Sequence, residues 1–213
     1  MLQPGSSFVI AVILSALIVS RGSSATTLFE PPRLSAGELQ KLIPKLRRGG
    51  YVIYLRHMSS DHSHEDKRPV NLNDCSSQRP LSQKGRQQAS ELGKAFRQLK
   101  LPIDKVISSP FCRCRDTARL AFGRFVISDS LYFAMGLTRE GKEAKGKLVR
   151  EMLATQPARG KNVVIVSHTA NLQEAVGLWP NPEGVAYIFK PEANAQFNAI
   201  GKVNPETWSQ VSY

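Results

Sequence analysis

Two imidazoles and two guanidinium groups recur at equivalent places along this chain. Arg56 and His57 follow the apolar run Tyr51–Leu55. Arg113 lies just past Lys105–Ser108 and a Ser109-Pro110 turn, and His168 follows Asn162–Ser167. Such a set suits phosphoryl transfer. A phosphate monoester carries about two negative charges at neutral pH. Arginine offers planar, permanently charged, bidentate donors, so two of them can hold the nonbridging oxygens and stabilise charge there as the ester bond breaks. A neutral imidazole can attack phosphorus and carry the phosphoryl group covalently. A second imidazole, when protonated, adds a donor to the same oxygens. Neighbouring arginines disfavour an imidazolium, which helps to keep His57 neutral and nucleophilic.

The elements that must position these residues alternate between strand and helix. Ser35 caps a helix running to about Arg48, with Leu39, Leu42 and Leu46 on its apolar face, and Gly49-Gly50 stops it. Pro44 falls inside that pattern and predicts a kink or early break. Tyr51–Leu55 reads as a strand buried on both faces. The polar stretch His57–Pro80 follows, and a loop of that length inside a domain is usually functional. Helices are expected over Ser82–Lys100, Phe111–Phe122 and Arg139–Gln156, and a short one from about Ala170. Further strands are expected at Lys105–Ser108, Phe125–Ile127 and Asn162–Ser167, with a closing hairpin over Val185–Phe189 and Gln196–Val203. The fold class is therefore α/β, a three-layer α/β/α sandwich with a mostly parallel central sheet. In such sheets sites form beyond the carboxyl ends of the strands, where all four residues arrive.

At this point the chain resembles a family. Leu55-Arg56-His57-Met58 is similar to the Arg-His-Gly motif of the histidine phosphatase superfamily, branch 1 (phosphoglycerate mutase-like). Arg79-Pro80-Leu81-Ser82-Gln83-Lys84-Gly85 resembles its Leu-Ser/Thr-x-x-Gly helix start. Ser109-Pro110-Phe111-Cys112-Arg113-Cys114-Arg115-Asp116-Thr117-Ala118 resembles its Ser-Pro-x-x-Arg-Ala-x-x-Thr-Ala segment, and Val164–His168 its second-histidine strand. The resemblance implies His57 as the phosphorylated nucleophile. Arg56, Arg113 and His168 would be the rest of the phosphate pocket, with no metal or cofactor. The register selects Arg113 and leaves Arg115 on the helix surface.

The chain also departs from the pattern. Met58 stands where the motif has Gly, and would crowd the pocket wall or change the loop. Phe133 stands where many members carry a general-acid Glu. Asp129 is the nearest carboxylate and the expected catalytic acid, with Asp61, Glu65 and Asp66 in the long loop as alternatives. Phosphoglycerate mutase activity is not expected, because it needs that acid and a longer insertion.

Two other motifs are decoys on inspection. Gly141–Leu148 nearly spells a phosphate-binding loop, but Leu148 replaces the magnesium-binding Ser/Thr, and the segment is helical by pattern. His62, His64 and Asp66 resemble the metal motif of the metallo-β-lactamase fold with Lys67 in place of its last His, which keeps a zinc-dependent hydrolase as an alternative. A non-catalytic phosphate-binding module is the other alternative, suggested by the missing Glu.

The chain has 213 residues and a formal net charge of +12, with 41% hydrophobic residues, which excludes a disordered or collagen-like protein. The basic residues are scattered without an aromatic stacking motif, so no nucleic acid is expected. The charge fits a small anionic phosphorylated substrate and peripheral association with an anionic envelope surface. The apolar run Phe8–Val19 is shorter than the roughly 20 residues a bilayer span needs, and Ser23-Ser24-Ala25 follows it. Residues 1–25 are read as a secretory signal, 26–34 as an extended linker and 35–213 as the catalytic domain, in a periplasmic or secreted protein. In an oxidising compartment the odd set Cys75, Cys112 and Cys114 predicts a Cys75–Cys112 bridge beside the phosphate pocket and a free buried thiol at Cys114. The expected function is an exported phosphatase acting on a phosphomonoester, such as a sugar phosphate of the cell envelope, or on a phosphohistidine.

Overall fold

A computed structural model describes residues 28–211; the segment 1–25 read above as a secretory signal lies outside them. Eleven regular elements alternate along the chain: α1 (Ala36–Arg48), β1 (Val52–Arg56), α2 (Gln83–Gln98), β2 (Ile103–Ser108), α3 (Cys112–Phe122), β3 (Val126–Ile127), α4 (Arg139–Ala154), β4 (Asn162–Ser167), α5 (Thr169–Val176), β5 (Ala186–Pro191) and β6 (Phe197–Val203). They form one six-stranded sheet in the order β3-β2-β4-β1-β5-β6. The first four are mutually parallel, while β5 and β6 form the antiparallel closing hairpin. Helices cover both faces, giving the three layers of an α/β/α sandwich. Among the described residues no helix is long and apolar enough to cross a membrane.

The layers follow from side-chain alternation along the strands. Ile53, Leu55, Val164 and Val166 pack with Leu39, Leu46, Leu92 and Phe96 of α1 and α2 and with Ala118 of α3. Val52, Tyr54 and Ile165 point the other way, against Val149 and Leu153 of α4 and Leu172 of α5. A strand buried on both faces needs apolar residues at every position, which is why β1 and β4 read as continuous apolar runs.

Register decides where the site falls. Arg56 pairs with Ser167 and Ser108 with Val166, so β1, β2 and β4 end level. The next residues stay tied: the His57 amide donates to the Ser167 carbonyl at 3.0 Å, and the Ser109 amide to that of Val166 at 2.9 Å.

One expectation fails at α1. The helix continues through Pro44 to Arg48. Pro44 is exposed, so the carbonyl that loses its partner faces water, while buried Leu42, Ile43 and Leu46 and a Ser35–Glu38 capping box hold the helix. Residues 28–34 are extended and lie against the sheet: the Leu34 amide donates to the Lys202 carbonyl at 2.9 Å, and Glu30 accepts from the Tyr187 hydroxyl at 2.6 Å.

Candidate active site

His57 stands immediately past β1 and is almost fully buried. Its Nδ1 lies 2.9 Å from the Met58 carbonyl. A carbonyl only accepts, so Nδ1 carries the ring proton and Nε2 keeps its lone pair. Burial, and then the charge of Arg113, hold this imidazole well below the ordinary histidine value of 6.5. The ring is thus a neutral base with its nucleophilic nitrogen defined.

His168, past β4, faces it with the ring centroids 5.5 Å apart. Phe111 and Phe133 pack on its other sides at 5.1 and 4.7 Å. Its Nε2 meets the Ser109 hydroxyl at 2.8 Å. Burial again leads, followed by Arg113 and His57, in pushing its pKa well below 6.5. The protonated His168 expected as a donor is disfavoured by burial and the nearby charges. In this pocket the ring is neutral and offers a single N–H.

Arg113 sits in the first turn of α3 with no exposed surface. Of the charged groups acting on the two imidazoles, it acts most strongly on both. Its Nη1 donates to both oxygens of Asp66, at 3.0 and 3.1 Å. Its Nε and Nη2 are buried without a hydrogen-bond partner. Those two nitrogens form one edge of the guanidinium plane, the edge that grips a carboxylate or phosphate side-on. Buried donors normally find partners, so this edge marks a place for an anion. Phe111 lies below the guanidinium at 4.7 Å.

Arg56 is anchored more fully. Nη1 donates to the Pro180 carbonyl at 2.9 Å and Nη2 to Glu183 at 3.2 Å, which leaves Nε buried and unpartnered. Glu183 also accepts from the Ser60 amide and hydroxyl, both at 2.8 Å. Arg56, His57 and His168 line a cavity of about 580 Å³, together with Glu65, Asp66 and Arg79.

A comparison with protein-family models matches residues 52–128 to one family, the histidine phosphatase superfamily (branch 1). The likeness to histidine phosphatases rests on that stretch. The matched stretch contains Arg56, His57 and Arg113, and the fold brings His168 to them from outside it. Solved structures with this fold include an open reading frame product from Mycobacterium tuberculosis, at TM-score 0.51 and 20% identity, covering 74% of this chain and 100% of that one. A phosphoserine phosphatase variant from Entamoeba histolytica, solved with phosphoserine, reaches TM-score 0.51 at 13% identity, covering 74% of this chain and 98% of its own. A mycobacterial hydrolase reaches 0.51 at 17% identity, with 70% and 96% covered. At these identities the likeness is one of fold. A comparison with curated protein sequences finds no match.

Against the histidine phosphatase pattern, three expectations change. Asp129 does not reach the pocket. It begins a short 3-10 turn, is exposed, and its carbonyl accepts from Lys145 Nζ at 2.6 Å. The next turn residue driven inward is Leu131, which is fully buried. The carboxylates at the cavity are Glu65 and Asp66, from the long loop. Met58 does not crowd the pocket, because its side chain is buried in the core on the α1–α2 face. Arg115 is not a free surface residue, since its Nη1 reaches the Leu72 carbonyl at 3.4 Å.

The three side chains of the zinc alternative face different partners. His62 meets Glu183 at 3.4 Å, His64 meets Asp61 at 3.1 Å, and Asp66 is held by Arg113. Among the described residues no group of three His, Cys, Asp or Glu side chains is arranged to hold a metal.

Arg79 and Glu183 were not singled out in the sequence. Arg79 depends on how the loop after β1 is fastened. The Cys75–Cys112 disulfide ties the loop to the start of α3, with Cα atoms 5.7 Å apart. Gln78 Oε1 accepts from the Cys112 amide at 2.9 Å, and Asp66 Oδ1 accepts from the Arg79 amide at 2.9 Å. Cys114 is buried and free, its thiol pushed up to about 12, chiefly by burial. Gly85 at the base of the loop has no space for a side chain, since a Cβ there would come within 1.9 Å of the Ser59 carbonyl oxygen.

Proposed function

We propose that the protein is a phosphatase that hydrolyses phosphate monoesters through a phosphohistidine on His57. The observation that carries this reading is a neutral His57, its Nε2 lone pair available, under the charge of Arg113, whose Nε and Nη2 are buried without a partner. Nε2 attacks phosphorus and the bond to the ester oxygen breaks. The leaving oxygen takes a proton. Water then attacks the phosphohistidine, the N–P bond breaks, phosphate departs and the imidazole is restored. Arg113, Arg56 and Arg79 serve as donors to the phosphoryl oxygens in both steps, and His168 lines the same cavity with its Nε2 on the Ser109 hydroxyl.

Asp66 is occupied by Arg113 and the Arg79 amide, whereas Glu65 lines the cavity and has no hydrogen-bond partner among the described residues. Glu65 is therefore the carboxylate best placed to give the leaving oxygen its proton and later to take one from water. The reading extends to an exported protein, periplasmic or secreted, on the support of the N-terminal apolar segment and the disulfide. The net charge of +12 supports an anionic substrate, with a phosphorylated envelope sugar as the starting expectation, and peripheral association with an anionic envelope surface.

The test is turnover of p-nitrophenyl phosphate by wild type and His57→Ala, with and without chelator, and acid-quench trapping of an acid-labile phosphoenzyme. Chelator-resistant turnover and a phosphoenzyme, both absent from His57→Ala, are expected. Turnover abolished by chelator returns the zinc hydrolase. Phosphate binding without turnover returns the non-catalytic module.

A further inference from the structure

The phosphate cavity has an annex of different character. A second chamber of about 250 Å³ adjoins it, and the two share Asp66, Arg68, Phe133 and Met135 as walls. Beyond that boundary the side chains are mostly apolar, Pro69, Val70, Phe111 and Leu137 with the Tyr132 ring, and backbone polar groups share the wall. Phe133, at the place where many relatives were expected to carry a carboxylate, is the partition. Its ring touches His168 on one side at 4.7 Å and belongs to the chamber on the other. The charged cavity also carries two exposed apolar side chains. Met135 and Trp179, 50% and 49% exposed, both line the phosphate cavity.

A leaving group rich in hydroxyls would need hydrogen-bond partners wherever it is desolvated. The chamber's side chains offer few. Asp66 is already committed to Arg113, and the remaining polar side chains are Arg68 and the Tyr132 hydroxyl. An apolar group entering the same space gains by leaving water and costs no polar partner. Such division between charged and apolar walls is how pockets usually orient a ligand.

We propose that this chamber receives the apolar part of the leaving group, so that the substrate is a phosphate monoester of an apolar alcohol or phenol. The proposal rests on the phosphatase reading for its phosphoryl half. It replaces the sugar of the starting expectation with an apolar moiety of about one ring or a short chain.

The test uses the full chain and two sets of probes. Alkylphosphonates cannot be hydrolysed at their carbon–phosphorus bond, so their binding reports on the chamber whether or not the protein turns over esters. Affinity measured calorimetrically from methyl- to hexylphosphonate should rise about fourfold per methylene until the chamber is filled. Leu137→Asn and Val70→Asn should flatten that slope. Hexyl phosphate and glucose 6-phosphate both release a primary alcohol, so their ranking reports binding rather than leaving-group chemistry. Hexyl phosphate should lead in kcat/KM by roughly tenfold or more, since several methylenes are buried. A chain-length series flat in wild type, or glucose 6-phosphate ahead of hexyl phosphate, overturns the proposal. Failure of the phosphatase reading itself is seen separately, as p-nitrophenyl phosphate turnover that is absent or survives in His57→Ala.

Discussion

Asp66 holds Arg113 by one nitrogen only. Both carboxylate oxygens lie on Nη1, at 3.0 and 3.1 Å, and the Nε–Nη2 edge is left over. The ion pair therefore does more than neutralise a buried cation. It sets the rotation of the guanidinium plane and with it the direction of the unpartnered edge, which in the proposed reaction would meet phosphate. Substituting Asp66 should lower kcat/KM by about 10- to 100-fold, the scale on which small misplacements act. Asp66→Asn keeps an acceptor for Nη1 and should lose less than Asp66→Ala. Steady-state kinetics of both variants checks this; equality of both with wild type would remove the clamp.

The two imidazoles make a pH prediction with a definite sign. Both have folded-state values well below 6.5, from burial first and Arg113 second. His57 must be neutral to attack, so the acid limb of kcat/KM should lie below pH 6.5. The same shifts act on stability. Below pH 6.5 the unfolded chain takes up protons that the folded chain refuses, so stability falls as pH drops from 6.5 towards the folded values. Denaturant midpoints measured from pH 7 downwards should follow that trend. An acid limb at or above 6.5 contradicts the neutral, buried nucleophile.

Glu65 is expected to matter in proportion to how badly the leaving group needs a proton. With alkyl phosphates, Glu65→Gln should slow the reaction by about 10²-fold or more. With p-nitrophenyl phosphate the effect should be small. Asp129→Asn should match wild type on both. A Glu65→Gln variant equally affected on all esters would argue for a structural part.

Arg79 lines the same cavity, and as a donor to the phosphoryl group in the proposed reaction it would supply charge-assisted hydrogen bonds worth about 1.5–3 kcal/mol. Arg79→Ala should therefore weaken kcat/KM by roughly 10- to 100-fold. Inhibition by inorganic phosphate is the matching readout, and an unchanged inhibition constant would exclude contact with the phosphoryl group.

The disulfide and the buried thiol can be counted. Of the three cysteines, none should react with a thiol reagent in the folded protein and one should react after unfolding without reductant. Breaking the bridge by Cys75→Ser with Cys112→Ser should cost about 2–4 kcal/mol. Activity should fall further than stability alone dictates, because the bridge holds the loop that carries Asp66 and Arg79. A double variant with full activity would show that the other ties suffice.

The sequence by itself determined which residues meet at the sheet edge. Arg56, His57 and His168 could be read because each follows an apolar run, and burial on both faces of a parallel strand leaves that pattern in the sequence. The ordered motifs around Arg113 did the same for α3. What the loop does was decided only by tertiary structure. Asp66, Arg79 and Glu183 have no periodicity to announce them. Their positions come from a disulfide, from Gln78 on the Cys112 amide and from ion pairs between segments far apart in the chain. Asp129 shows the converse. Its place after the third strand suggested the site, but burying Leu131 turned the short helix so that Asp129 faces water. Apolar burial is repeated at every strand position and so is legible one residue at a time. A single polar contact across a folded loop is made once, and only the packed chain specifies its partner.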